Sequence, residues 1–163
     1  MLDQIVLAII GEIPRHGFAV SKELETDPSL AAVIRIRRPL VYRSINSLLN
    51  AKFIRETKVE PGDQGSPRVI YATTATGKST TAKWLNDTVD HPRDARIELL
   101  AKFVLRNRRA MNSKQLATRQ RKLFKRQAAN LQVAANSATD DVRLVALWRV
   151  ENINAMIRLL EAV

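Results

Sequence analysis

Residues 38–54 read RPLVYRSINSLLNAKFI, and the fold follows from how that stretch is placed. Pro39 suits the first turn of a helix, where its missing N–H leaves no bond unmade. Val41, Ile45, Leu48 and Leu49 then form one apolar stripe running to Asn50, as a helix with one buried face requires. With the stripe turned inward, Arg38, Tyr42, Arg43, Asn46 and Ser47 are left toward solvent or its flanks.

Upstream, Leu2, Ile5, Val6, Ile9 and Ile10 recur at helical spacing until Gly11 and Pro14 close a first helix. After a turn at His16-Gly17, FAVSKELE (18–25) places Val20 and Leu24 four apart, and Asp27-Pro28 breaks this second helix. Residues 29–37 stay open: Val33, Ile34 and Ile36 suit a brief strand or one more helical turn. Downstream, FIRETKVE (53–60) and RVIYATT (68–74) alternate in part and flank the turn-rich PGDQGSP (61–67), which predicts a β-hairpin. Thr74 is the expected N-cap of a helix over TATGKSTTAKWLND (74–87). Three helices followed by a hairpin is the order of a winged helix-turn-helix, whose third helix lies in the major groove of DNA.

The rest of the chain reads as helical, with breaks near 91–93, 110–113 and 136–139. In the last helix Val142, Ala146, Val150, Ile153, Ile157 and Leu160 alternate spacings of four and three, a helix-packing seam. The fold class expected is therefore mainly α with a small β-hairpin wing. A winged helix-turn-helix over 1–88 is joined to a helical dimerisation or effector domain over 93–163.

The net charge of +11 favours an anionic partner, nucleic acid above all. The excess is uneven: 1–72 carry ten Lys/Arg against eight Asp/Glu, and 73–163 carry seventeen against eight. From Lys102 to Arg126 there are ten Lys/Arg, with no acid between Glu98 and Asp140. DNA flanks, an acidic partner or effector, and a plain solvated helix face are all open readings of that run.

The motifs also resemble a known family. LAIIGEIPRHGFAVSKELE (7–25), RPLVYRSINSLLNAKFI (38–54) and SPRVIYATTATGKSTTAKWL (66–85) are similar to the PadR-like pattern. They match its PRHGY-type turn, TLYRAL-type recognition helix, PRRKYY-type second wing strand and LTEAG-type helix start, over roughly residues 4–85. Pro39 and Leu40 depart from it, standing where many members have a small residue and a hydroxyl, and the preceding loop is longer and richer in arginine. Phe18 replaces the usual tyrosine, a change expected to matter little.

The resemblance implies a homodimeric, sequence-specific transcriptional regulator, a repressor relieved by a small molecule or partner signal. Its expected partners are double-stranded operator DNA, a second copy of the chain and a small-molecule effector. The expected DNA-contacting residues are Arg37, Arg38, Leu40, Tyr42, Arg43, Asn46 and Ser47 on and before the recognition helix, with Gln64, Ser66 and Arg68 in the wing. Arginine forks onto guanine or phosphate, asparagine pairs with adenine, and hydroxyls anchor phosphates. Trp148, Ile153, Ile157 and Leu160 are expected at the effector or dimer interface. For Trp84 and Trp148 core packing is the preferred reading over an effector pocket. The rival of another class is a winged-helix adaptor that holds an acidic protein partner.

Enzyme readings lack parts. GKST (77–80) would need a glycine at position 72 to form a phosphate-binding loop, and Ala72 is there. The only histidines are His16 and His91, with no cysteine and no metal-ligand spacing, so each is expected to cap a turn, and no cofactor or metal is expected. The absence of cysteine fits a reducing cytoplasm. Charges interrupt every apolar segment short of the roughly 20 residues a bilayer needs, and the N-terminus has no signal-peptide pattern, so a soluble cytoplasmic protein is expected.

Overall fold

The computed structural model describes residues 1–61 and 67–163, which form two compact units. The first is Met1–Asp87 with Leu100–Ala110, and the second is Thr88–Leu99 with Met111–Val163.

The first unit is built around α1 (Leu2–Glu12), in which Ile5 through Ile10 are all buried. A helix apolar all round must be covered on every side, and α4 (Arg38–Asn50), α5 (Ala75–Asn86) and the sheet cover this one. Between α1 and α4 lie the two-residue strand β1 (Arg15–His16), α2 (Gly17–Thr26) and α3 (Pro28–Val33). Strands β2 (Ile54–Glu60) and β3 (Arg68–Thr73) follow α4. The sheet runs β1-β3-β2, antiparallel throughout, with Arg15 opposite Tyr71 and Ile54 opposite Thr73. A bulge between Glu56 and Lys58 leaves Thr57 extra, and its hydroxyl donates to the Ile70 carbonyl at 3.0 Å.

Local chemistry sets the element boundaries. His16 closes β1 and caps α2, its Nδ1 accepting from the Ala19 N–H at 3.0 Å. Asp27 caps α3 through its Oδ1 and the Leu30 N–H, so the open stretch 29–37 resolves into a helix that ends at Val33 and an extended run after it. Thr74 caps α5 as expected, accepting from the Gly77 N–H at 3.0 Å while donating to the Lys52 carbonyl at 2.8 Å. His91 precedes α6 (Pro92–Ala95) but makes no side-chain cap there, unlike His16.

Helix α7 (Glu98–Arg108) and Arg109 after it account for four of the ten cations in the basic run, as structural parts of the first unit. Lys102 is 1% exposed, donates to the Asp87 carbonyl at 2.8 Å and lies 5.3 Å over the Trp84 ring. Arg106 reaches the Leu85 carbonyl and the Asn86 side chain. Arg108 and Arg109 pair with Glu12, and Arg108 also with Glu23 and Asp27. Burial lowers the guanidinium pKa of Arg15 and Arg109, and the Glu12 carboxylate opposes that shift.

The second unit is chiefly the pair α8 (Lys114–Ser137) and α9 (Asp140–Glu161). They are antiparallel, since Glu161 near the end of α9 meets Arg121 and Lys125 near the start of α8. Gln120 of α8 is fully buried and brackets Val89, accepting from its N–H at 2.7 Å and donating to its carbonyl at 2.8 Å. The expected α9 seam is buried only in its second half: Val150, Ile153, Ile157 and Leu160 pack inward, while Val142 is 70% exposed. No helix among the described residues is long and apolar enough to cross a membrane.

Candidate nucleic-acid interface

Helix α4 is held by its inward face. Val41 and Ile45 are fully buried, Leu48 nearly so, and Ser44 is buried between them. That fixes the opposite face, on which Arg38, Leu40, Tyr42, Arg43, Asn46 and Ser47 are all exposed. Arg37, the residue before the helix, is exposed beside them. These seven expected contact residues therefore share one surface. Of the wing residues, Arg68 begins β3 and is partly buried, while Gln64 and Ser66 lie outside the described residues.

Two groups of arginines in the first unit contrast in their partners. Arg15 and Arg109, which are half-buried, and the more exposed Arg108 pair with Glu12 or Glu23. Arg35, Arg37, Arg38 and Arg43 are exposed and, among the described residues, no acid pairs with them. Glu12, Glu23 and Asp27 are thus already engaged by other cations, and the start of α4 keeps its positive charge for an outside anion. Arg35, Arg37 and Arg38 also border a groove of about 790 Å³ with Ser21, Leu24, Glu25 and Ile36. Arg35 was not among the expected contact residues; the signal for it is the charge run IRIRR (34–38) immediately before Pro39.

Two contacts shape this face further. Ser47 donates its hydroxyl to Asp3 Oδ2 at 2.8 Å, which places a carboxylate beside the C-terminal half of the helix. The Arg38 guanidinium lies 4.7 Å over the ring of Phe18, which stacks in turn on His16 with ring centres 6.2 Å apart. Phe18 therefore has a specific neighbour on the exposed face, one that the ring of a tyrosine in its place would also have.

The residues expected at an effector or dimer interface separate. Ile153, Ile157 and Leu160 are buried within the second unit, while Trp148 is 66% exposed. Core packing is correct for Trp84, which is buried, and incorrect for Trp148. Trp148 borders a groove of about 720 Å³ with Leu131, Met156, Arg93, Arg96 and Arg149 among its other walls. No cluster of acidic or histidine side chains able to hold a metal occurs among the described residues.

Comparison with known proteins gives a concordant picture. Residues 6–83 match the model of the transcriptional regulator PadR-like family. The fold is similar to the crystal structure of Bacillus subtilis PadR in complex with operator DNA, at a TM-score of 0.51 and 18% identity, covering 99% of this chain and 97% of that one. The structure of the Vibrio cholerae virulence activator AphA aligns at a TM-score of 0.44 and 17% identity, covering 99% of this chain and 90% of that one. At such identities the PadR likeness is one of fold. No curated protein matches the chain in sequence.

Proposed function

We propose, from the match of residues 6–83 to the transcriptional regulator PadR-like family, that the chain is a sequence-specific DNA-binding regulator. It acts as a homodimeric repressor in the cytoplasm, released by a small-molecule or partner signal. The observation that carries this reading is the exposed face of α4, where Arg37, Arg38, Tyr42, Arg43 and Asn46 stand together without acidic partners among the described residues. Such a face offers guanidinium forks for guanine and phosphate, an amide for adenine and a phenol for the backbone. Arg68 opens the second wing strand, and the hairpin tip it leads from would meet adjacent backbone, with Gln64 and Ser66 as its proposed contacts.

In this reading residues 1–88 bind DNA and 93–163 pair two chains and receive the signal. Support for pairing comes from the first half of α9, where Val142, Leu144, Val145, Leu147 and Trp148 are all exposed. Five large apolar side chains exposed within two turns of one helix are rarely left to water, and a two-fold axis lets two copies cover them. Trp148 then lies at the interface, with Ile153, Ile157 and Leu160 as the packed base of the same helix. The groove beside Trp148 combines apolar walls with three arginines and suits an anionic effector. Two recognition helices on a two-fold axis would enter successive major grooves roughly 34 Å apart.

Repeated selection of bound fragments from a random-sequence duplex pool tests the proposal. Enrichment of two inverted half-sites about 10 base pairs apart is the expected result. A pool that stays random while binding remains salt-sensitive indicates a non-specific binder, and no retention at all favours an adaptor for an acidic protein.

A further inference from the structure

The first turn of α2 lies directly against the exposed side of α4. Gly17 is pressed under Tyr42, since a Cβ there would stand 2.8 Å from Tyr42 Cε1 and 2.9 Å from Ile45 Cδ1. Phe18, the next residue, lies under Arg38, its ring centre 4.7 Å from the guanidinium carbon. Two consecutive residues of one helix thus support two side chains one turn apart on the other. The platform is itself fixed. His16 caps α2 through Nδ1 and stacks its ring on Phe18 at an interplanar angle of 21°. Phe18 is 38% exposed, too open to be a core residue and too well backed to be a loose one.

Arginine has many rotamers, and an exposed one without a partner samples most of them before it contacts a base. A guanidinium lying over an aromatic face is attracted by the ring's quadrupole and keeps its N–H groups at the rim, free to donate. Arg38 has no acidic partner among the described residues, so the ring is what orients it. Arg37 and Arg43 are also exposed, and among the described residues no aromatic ring lies under either.

We propose that Arg38 is a specificity-determining residue for DNA and that Phe18 is its positioning residue, holding the guanidinium ready for the groove. This rests on the reading of α4 as the recognition helix. Phe18 need not touch DNA; it acts by limiting where Arg38 points.

The test uses the full-length protein, the duplex enriched from the random pool and a scrambled duplex of equal length. If the wild type enriches nothing, the reading of α4 fails before this inference is reached. If it does enrich a sequence, Arg38→Ala is expected to lower the preference for that duplex over the scrambled one by about tenfold. Phe18→Ala is expected to lower it by about threefold, and the double variant to be no worse than Arg38→Ala alone. Phe18→Tyr, which keeps the ring face, is expected to retain the wild-type preference. Phe18→Leu, which keeps bulk without a ring, is expected to behave as Phe18→Ala, which separates orientation from packing. Losses that multiply in the double variant, or a Phe18→Leu variant with wild-type preference, overturn the proposal.

Discussion

Gly77 lies against the carbonyl oxygen of Phe53: a Cβ at position 77 would stand 1.9 Å from that oxygen. The approach is possible only for glycine, and it seats the start of α5 on the corner between α4 and β2. Thr74 locks the same corner, donating to the Lys52 carbonyl and receiving the Gly77 N–H. In an open helix alanine is preferred to glycine by about 1 kcal/mol. Here Gly77→Ala is expected to destabilise by about 2–3 kcal/mol, as overpacking does. Urea unfolding reads this as a lower midpoint; an unchanged or higher midpoint is the contrary result.

Helix α4 ends with the Phe53 N–H on the Leu48 carbonyl and the Lys52 N–H on the Leu49 carbonyl, and Lys52 is left-handed at φ 57. That is the position where glycine relieves the clash of Cβ with the backbone. Lys52→Gly is expected to raise stability by about 1 kcal/mol, with Lys52→Ala close to neutral. A lower melting temperature for the glycine variant would refute this.

Gln120 satisfies both backbone groups of Val89 with no exposure to water. Gln120→Leu leaves them without partners and is expected to cost about 2 kcal/mol. Gln120→Glu can serve both groups only when protonated, so its folded pKa lies above the ordinary value of about 4.3. Its stability is therefore fullest below that value and lost as pH rises through the folded pKa. A Gln120→Glu variant equally stable relative to wild type at pH 4 and pH 7 would contradict the assignment.

Asp3 stands beside the exposed side of α4 through its bond with Ser47. Asp3→Asn is expected to raise affinity for any duplex by about two- to threefold at low salt, an increase that fades as salt rises. Titration of the enriched and scrambled duplexes at two salt concentrations checks both parts, and an increase confined to the enriched duplex would point to another cause.

The winged-helix order was legible because each large element carries its own signal: the Val41-Ile45-Leu48 stripe, the Thr74 cap, and two partly alternating runs around PGDQGSP. Strand β1 was not legible, because two residues have no periodicity and their pairing with Ile70 and Tyr71 is set by the fold. Arg35 is in plain view as a charge, and only the folded groove puts it with Arg37 and Arg38. The block from Lys102 to Arg126 looked uniform along the chain. In the fold it divides, because acids far away in sequence, Glu12 and Glu23, neutralise Arg108, while Lys102 is buried against Trp84. Periodicity says that a face of α9 is apolar; only the fold shows that its large apolar side chains before Val150 stay exposed.

The central claim is that the outward face of α4 selects DNA sequence, and the most direct measurement is the affinity ratio between enriched and scrambled duplexes for wild type, Asn46→Ala and Arg43→Ala. Both side chains are exposed, so folding should survive. The account predicts that each variant weakens binding to the enriched duplex by about tenfold and changes binding to the scrambled duplex far less. Ratios equal to that of the wild type in both variants would contradict it.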